Sequence, residues 1–115
     1  AIARGADDVL GKEAGDAYRG GPFGLTDPGE LAGLFAAAGF TDVRITGHAV
    51  PVEFEGGAAQ LTASLAVTSI GPLVAALDER GRAELVDAVE AALGPYLHDG
   101  CARSETTSHI ARATR

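Results

Sequence analysis

Apolar positions between Asp27 and Phe40 recur at the spacing of one helix face, with Leu31, Leu34, Phe35 and Ala38 in a single stripe. Both ends of this stretch carry local signals. Asp27 is suited to cap the N-terminus, Pro28 to the first helical position, where its missing N–H costs nothing, and Glu30 stands at capping-box spacing. Gly39 predicts a left-handed stop, with Phe40 folded back onto the last turn. From Asp42 the period drops to two. Val43 and Ile45 alternate with Arg44 and Thr46, which predicts a half-buried strand. Val50, Val52 and Phe54 also share a parity, so the strand resumes through Glu55 after a bulge or bend at Gly47-His48. Pro51 has no N–H to give to a ladder and suits an edge strand.

The remaining pattern is mostly helical. Ala1 to Leu10 reads as the tail of a helix, Lys12 to Tyr18 as one or two further turns, and Gly20-Gly21-Pro22 as a break. After Gly56-Gly57, the pattern predicts a helix from Ala58 to Thr68, an interruption at Gly71-Pro72 and a short helix from Leu73 to Leu77. A long helix follows from about Asp78 to Leu97, with Gly81 weakening its first turn enough to move the start to Arg82. Its apolar face runs through Leu85, Val89, Leu93 and Leu97, with Glu84, Asp87 and Glu90 opposite. His98-Asp99-Gly100 is a turn, and Ser104 to Thr114 is a strand. Two strands alone are marginal in water, so the sheet is expected to be completed by other sequence or by a second chain.

Composition narrows the function more than the fold. The chain has 115 residues, the size of one domain, and 46% hydrophobic with 22% charged residues is a globular balance. A net charge of −7, with Lys12 the only lysine, leaves no basic face for nucleic acid or an anionic membrane. One cysteine, Cys101, fits a reducing compartment, and the expected location is cytoplasmic. His48, His98 and His109 have no compact metal-ligand spacing, and Cys101, three residues after His98, lacks an activating third group. These are read as a strand bend, a helix C-terminus, a strand position and a bystander thiol. Phe23 and Tyr96 are candidates for a small-molecule pocket or for core packing.

The stretch GPFGLTDPGELAGLFAAAGFTDVRI resembles the late helix and sixth strand of class I S-adenosylmethionine (SAM) dependent methyltransferases, in particular the ubiquinone-biosynthesis-like branch. RAELVDAVEAALGPYL resembles the final helix of that fold, and TTSHIARATR its seventh, antiparallel strand. The resemblance implies an α+β fragment of an α/β, Rossmann-like parent, with helices covering a short sheet that contains an antiparallel strand pair. It also implies that SAM belongs to a glycine-rich loop earlier in the parent. Gly20 to Gly24 follows no predicted strand, so this chain alone is expected to bind no cofactor and to transfer no methyl group. The helical insertion, Ala58 to Leu77, would cover the pocket of a small-molecule acceptor. Phe23, His48, Leu65 and Tyr96 are the candidate substrate-binding residues. The expected assembly is a homodimer formed through the strands or through the Leu85–Leu97 face. The alternative is a standalone, non-enzymatic α+β binding module that dimerises, and a third reading is a small enzyme with an unrecognised site.

Overall fold

A computed structural model describes residues 1–21 and 23–115; the expected break at Pro22 lies outside the described residues. Among these, the fold is α+β, with six α-helices and an open three-stranded antiparallel sheet. Helices α1 (Ile2–Leu10) and α2 (Lys12–Gly20) form a hairpin hinged at Gly11, whose φ of 92° a side chain would resist. Helix α3 (Pro28–Ala37) leads into strand β1 (Thr41–Phe54). Helix α4 (Gly57–Ala63), a 3₁₀ turn (Ser64–Val67), α5 (Gly71–Ala75) and α6 (Glu79–Leu93) follow. A second 3₁₀ turn (Gly94–Tyr96) enters the short strand β2 (Leu97–His98), and β3 (Cys101–Thr114) closes the chain. The strand order is β1-β3-β2.

Helix α3 follows its sequence signals. The Asp27 carboxylate accepts the Glu30 N–H at 2.7 Å, Gly39 has φ 85°, and the Phe40 N–H returns to the Phe35 carbonyl at 3.0 Å. The Phe35 and Phe40 rings then meet edge to face at 5.5 Å. The later helix departs from expectation at both ends. Asp78 caps α6 by accepting the Gly81 N–H at 2.8 Å, so Gly81 sits inside the first turn instead of delaying the start. The helix ends at Leu93, because Gly94-Pro95 turns the chain into a 3₁₀ segment. Leu97 and His98 are therefore strand residues, joined to β3 through Asp99 (φ 52°) and Gly100 (φ 78°). Two successive positive φ values in a two-residue loop form the type I′ hairpin that matches strand twist.

Strand β1 also corrects the expected bend. Pairing with β3 runs unbroken from Arg44↔Arg112 through Gly47↔His109 to Phe54↔Ala102, and the irregularity lies earlier, between Thr41 and Arg44, where Asp42 has φ 51°. What changes at mid-strand is the covered face. In the distal half, the half-buried side chains are Val43 and Ile45 with His109, Ala111 and Ala113, on the face packed by α3. In the proximal half the covered side chains are the half-buried Val52 and Phe54 and the buried Ala102, on the opposite face, packed by the helical body. A parity switch without a bulge means that two different layers cover the two ends of one ribbon. Pro51 lies on β1, which is an edge strand.

The core lies almost wholly in the helical body. Leu65, Ile70, Leu85 and Val89 are fully enclosed, with Ala6, Ala14, Leu61 and Leu93 around them; Ala102 alone comes from the strands. The face of α6 expected to be free for dimerisation is internal, packed by α1 and α4. Helix α1 crosses α6 so closely that a Cβ on Gly5 would stand 2.7 Å from Val89 Cγ2 and 3.1 Å from the Val89 nitrogen. The distal ribbon gives the molecule its length, 52 × 30 × 19 Å. Among the described residues, no helix is long and apolar enough to cross a membrane.

Candidate functional site

The proximal face of the ribbon does not close fully onto the helices. Between them lies a cleft of about 810 Å³, within the range of small-molecule sites. Its walls come from places far apart in the chain. Ile2 stands on α1, Tyr18 and Arg19 on the last turn of α2, and Phe23 in the following loop. Val52 and Phe54 project from β1, Leu61 from α4, Leu93 from the end of α6, Tyr96 from the 3₁₀ turn that follows it, and Ala102, Ser104 and Thr106 from β3. The strand contributions follow from register: residues 52, 54, 102, 104 and 106 share one face.

Aromatic placement is the distinguishing property of the cleft. The chain has only four Phe and two Tyr. Four of these six, Tyr18, Phe23, Phe54 and Tyr96, line this one cleft, and the other two pair with each other beside α3. Tyr18 and Phe23 meet at 5.5 Å with their planes tilted by 44°. Phe23 and Tyr96 are each about half exposed, 46% and 48%, so their rings are open to a ligand, whereas Tyr18 forms part of the floor. Burial pushes the Tyr18 phenol above its usual pKa, so it keeps its proton at neutral pH.

The two arginines and Ser64 at the cleft are already partnered. Arg19 donates from Nη1 and Nη2 to the two Asp7 oxygens, both at 3.0 Å, and from Nη2 to Asp16 Oδ1 at 2.6 Å. Hydrogen bonds from Asp7 and then Asp16 push the guanidinium further toward the charged form, and the Arg19 hydrogen bond lowers the Asp16 pKa. Arg103 reaches Glu53 at 3.1 Å on the open side of the ribbon. The Ser64 hydroxyl donates to the Leu61 carbonyl at 2.6 Å.

Of the four sequence candidates, the structure brings Phe23 and Tyr96 to the cleft and leaves two elsewhere. Leu65 is fully buried in the core. His48 pairs with Ser108 on the bare distal face of the ribbon. From the insertion between Ala58 and Leu77, only Leu61 and Ser64 reach the cleft. Sequence reasoning missed Tyr18 and Phe54 as site residues. The signal that could have found them was scarcity, since in so aromatic-poor a chain each ring merits a separate account.

Other candidate chemistry stays apart. His48 and His109 lie on opposite ribbon faces, and His109 donates its Nε2–H to the Thr26 carbonyl at 2.9 Å. His98 faces Cys101 across the hairpin, but the thiol points to the Ala102 carbonyl at 3.9 Å. Among the described residues, no three His, Cys, Asp or Glu side chains gather as a metal site requires. The glycines before α3 do not fit the cofactor group implied by resemblance. They follow a helix, the Gly24 N–H is spent on the Gly21 carbonyl at 3.1 Å, and a Cβ on Gly24 would stand 2.8 Å from the Gly20 oxygen.

Fold and cleft together define an α+β protein with an aromatic-walled cleft between a helical body and a strand ribbon. Comparison with protein-family profiles, curated proteins and solved structures finds no match to this chain.

Proposed function

We propose that this chain recognises the acceptor and completes the sheet in a SAM-dependent small-molecule methyltransferase whose cofactor is held by other sequence. The observation that carries this reading is the gathering of four scarce aromatic side chains around one cleft. The order of elements supports it: a capped helix, a strand, a helical insertion, a final helix and an antiparallel last strand on the first. Methyl transfer depends on holding the acceptor in line, and a ring-binding wall contributes to that. The described residues would orient the acceptor; SAM supplies the methyl group when bound in the parent.

The test is a calorimetric titration of SAM beside an NMR screen of aromatic small molecules against the same chain. The expected result is no heat from SAM alone, with saturable shifts of Tyr18, Phe23, Phe54 and Tyr96 from ring compounds. Stoichiometric micromolar SAM binding, or a screen in which no compound reaches the cleft, would overturn it.

A second reading, a standalone binding module that dimerises through its strands, has one observation in its favour. The distal ribbon exposes Val50 (54%) and Ile110 (51%) on the face that α3 leaves bare, and β1 is an open edge. Sedimentation equilibrium decides it, since a monomer at high concentration removes this reading.

A further inference from the structure

We infer that the bare distal face of the ribbon binds an acidic peptide segment of another protein, with carboxylates on Arg44 and Arg112 and an apolar side chain on Ile110. This site is separate from the cleft and does not depend on the function assigned to it.

Register places the two arginines side by side. Arg44 pairs with Arg112 across β1 and β3, so both side chains leave the same face, with Cβ atoms about 4.5–5.5 Å apart. Both are exposed. Like charges directly opposite each other destabilise a sheet unless a counter-charge answers them. Among the described residues, no carboxylate pairs with either guanidinium, whereas Arg19, Arg80 and Arg103 each sit on one. The alternate pairs that share this face, from Arg44↔Arg112 to Val50↔Thr106, contain no Asp or Glu. In a chain with 16 acidic residues against 9 basic ones, this is a cationic spot without an internal counter-charge.

The same face carries the apolar half of the site. Ile110 stands two residues from Arg112, about 7 Å along the strand, and is 51% exposed. Val50 continues the apolar strip toward the cleft. A guanidinium takes a carboxylate through two parallel N–H bonds, so two adjacent arginines suit adjacent carboxylates. An inorganic anion would use the arginines and leave Ile110 bare, whereas an acidic segment with a neighbouring apolar side chain uses both. A second copy laid symmetrically on this face would bring only the same acid-free surface. A nucleic-acid strand extends well past the screening length of about 8 Å and would meet the net charge of −7.

The test is an NMR titration of the chain at neutral pH with acetyl-Glu-Glu-Leu-Ala-Leu-amide and with its Gln-Gln counterpart. The acidic peptide is expected to give saturable shifts at Arg44, Thr46, Ile110 and Arg112, and the Gln-Gln peptide to bind about tenfold more weakly. Replacing both arginines, Arg44→Gln with Arg112→Gln, is expected to weaken the acidic peptide by a similar factor and leave the Gln-Gln peptide unchanged. Thermal unfolding of that double variant is expected to hold or rise, because a like-charge pair is gone. A fall would show that the arginines serve the fold and would overturn the site. Equal binding of the two peptides, shifts at Tyr18 and Phe23 in place of the ribbon, or no shifts at all would overturn it as well. Tighter binding of a short oligothymidylate to the same face would overturn the peptide as its partner.

Discussion

The helical body and the distal ribbon use similar residues to different ends. In the body, Leu65, Ile70, Leu85 and Val89 have no exposed surface, and four helices meet around them. In the arm formed by α3 and the distal halves of β1 and β3, no side chain is fully buried, although α3 is rich in Leu, Phe and Ala. Apolar residues stabilise only as far as something covers them. The body supplies its own cover, whereas the arm has one thin helix on one face. Stability should therefore be concentrated at one end of the molecule, and the cleft lies at the boundary where the well-packed region stops.

The largest effect that tests this contrast is a matched pair of truncations. Leu65→Ala is expected to cost about 2–5 kcal/mol in chemical denaturation, and Leu34→Ala, at a 52% exposed site of α3, within about 0.5 kcal/mol. Equal costs would show that the arm is as tightly packed as the body. Next is Gly5→Ala, which drives a methyl group into Val89 and its backbone and is expected to cost about 1–3 kcal/mol in the same assay.

Removing each N-cap sharpens the contrast. Asp78→Ala and Asp27→Ala each delete one capping hydrogen bond, a loss of about 1 kcal/mol. By hydrogen exchange, the first should lower protection throughout the body, and the second only in α3 and the distal strands. The smallest effect is electrostatic. The Asp16 pKa is lowered in the folded chain, so its contribution is present above the ordinary value of 3.8 and is lost as pH falls through the lowered value. Asp16 is exposed, so the increment should shrink with added salt, and Asp16→Asn should remove it from the pH profile without altering the arm.

The arm was the more legible half of the sequence. Helix α3 and its stop are fixed by neighbours in the chain, and Asp27, Pro28 and Gly39 each act within a few residues. The body was read less well, because its boundaries depend on remote packing and on turn chemistry. The turn at His98-Asp99-Gly100 is legible in the sequence, but the apolar period running on to Leu97 hides the end of the helix and the short strand before the turn. The parity of Val52 and Phe54 was visible, yet alternation cannot say which layer covers which face. For the same reason Phe23 and Tyr96 could be named as candidates, while their meeting with Tyr18 and Phe54 depended on elements far apart in sequence.

The tight turn at Asp99-Gly100 also constrains how this chain can vary in length. It sets the phase of β3, so that Ala102, Ser104 and Thr106 look into the cleft and Glu105 and Thr107 look away. Inserting one residue there would exchange the two sets and present a charged group to a hydrophobic cavity. Inserting two would restore the phase. Lineages carrying this hairpin should therefore accumulate substitutions freely in β3, but gain or lose residues at its start only in even steps.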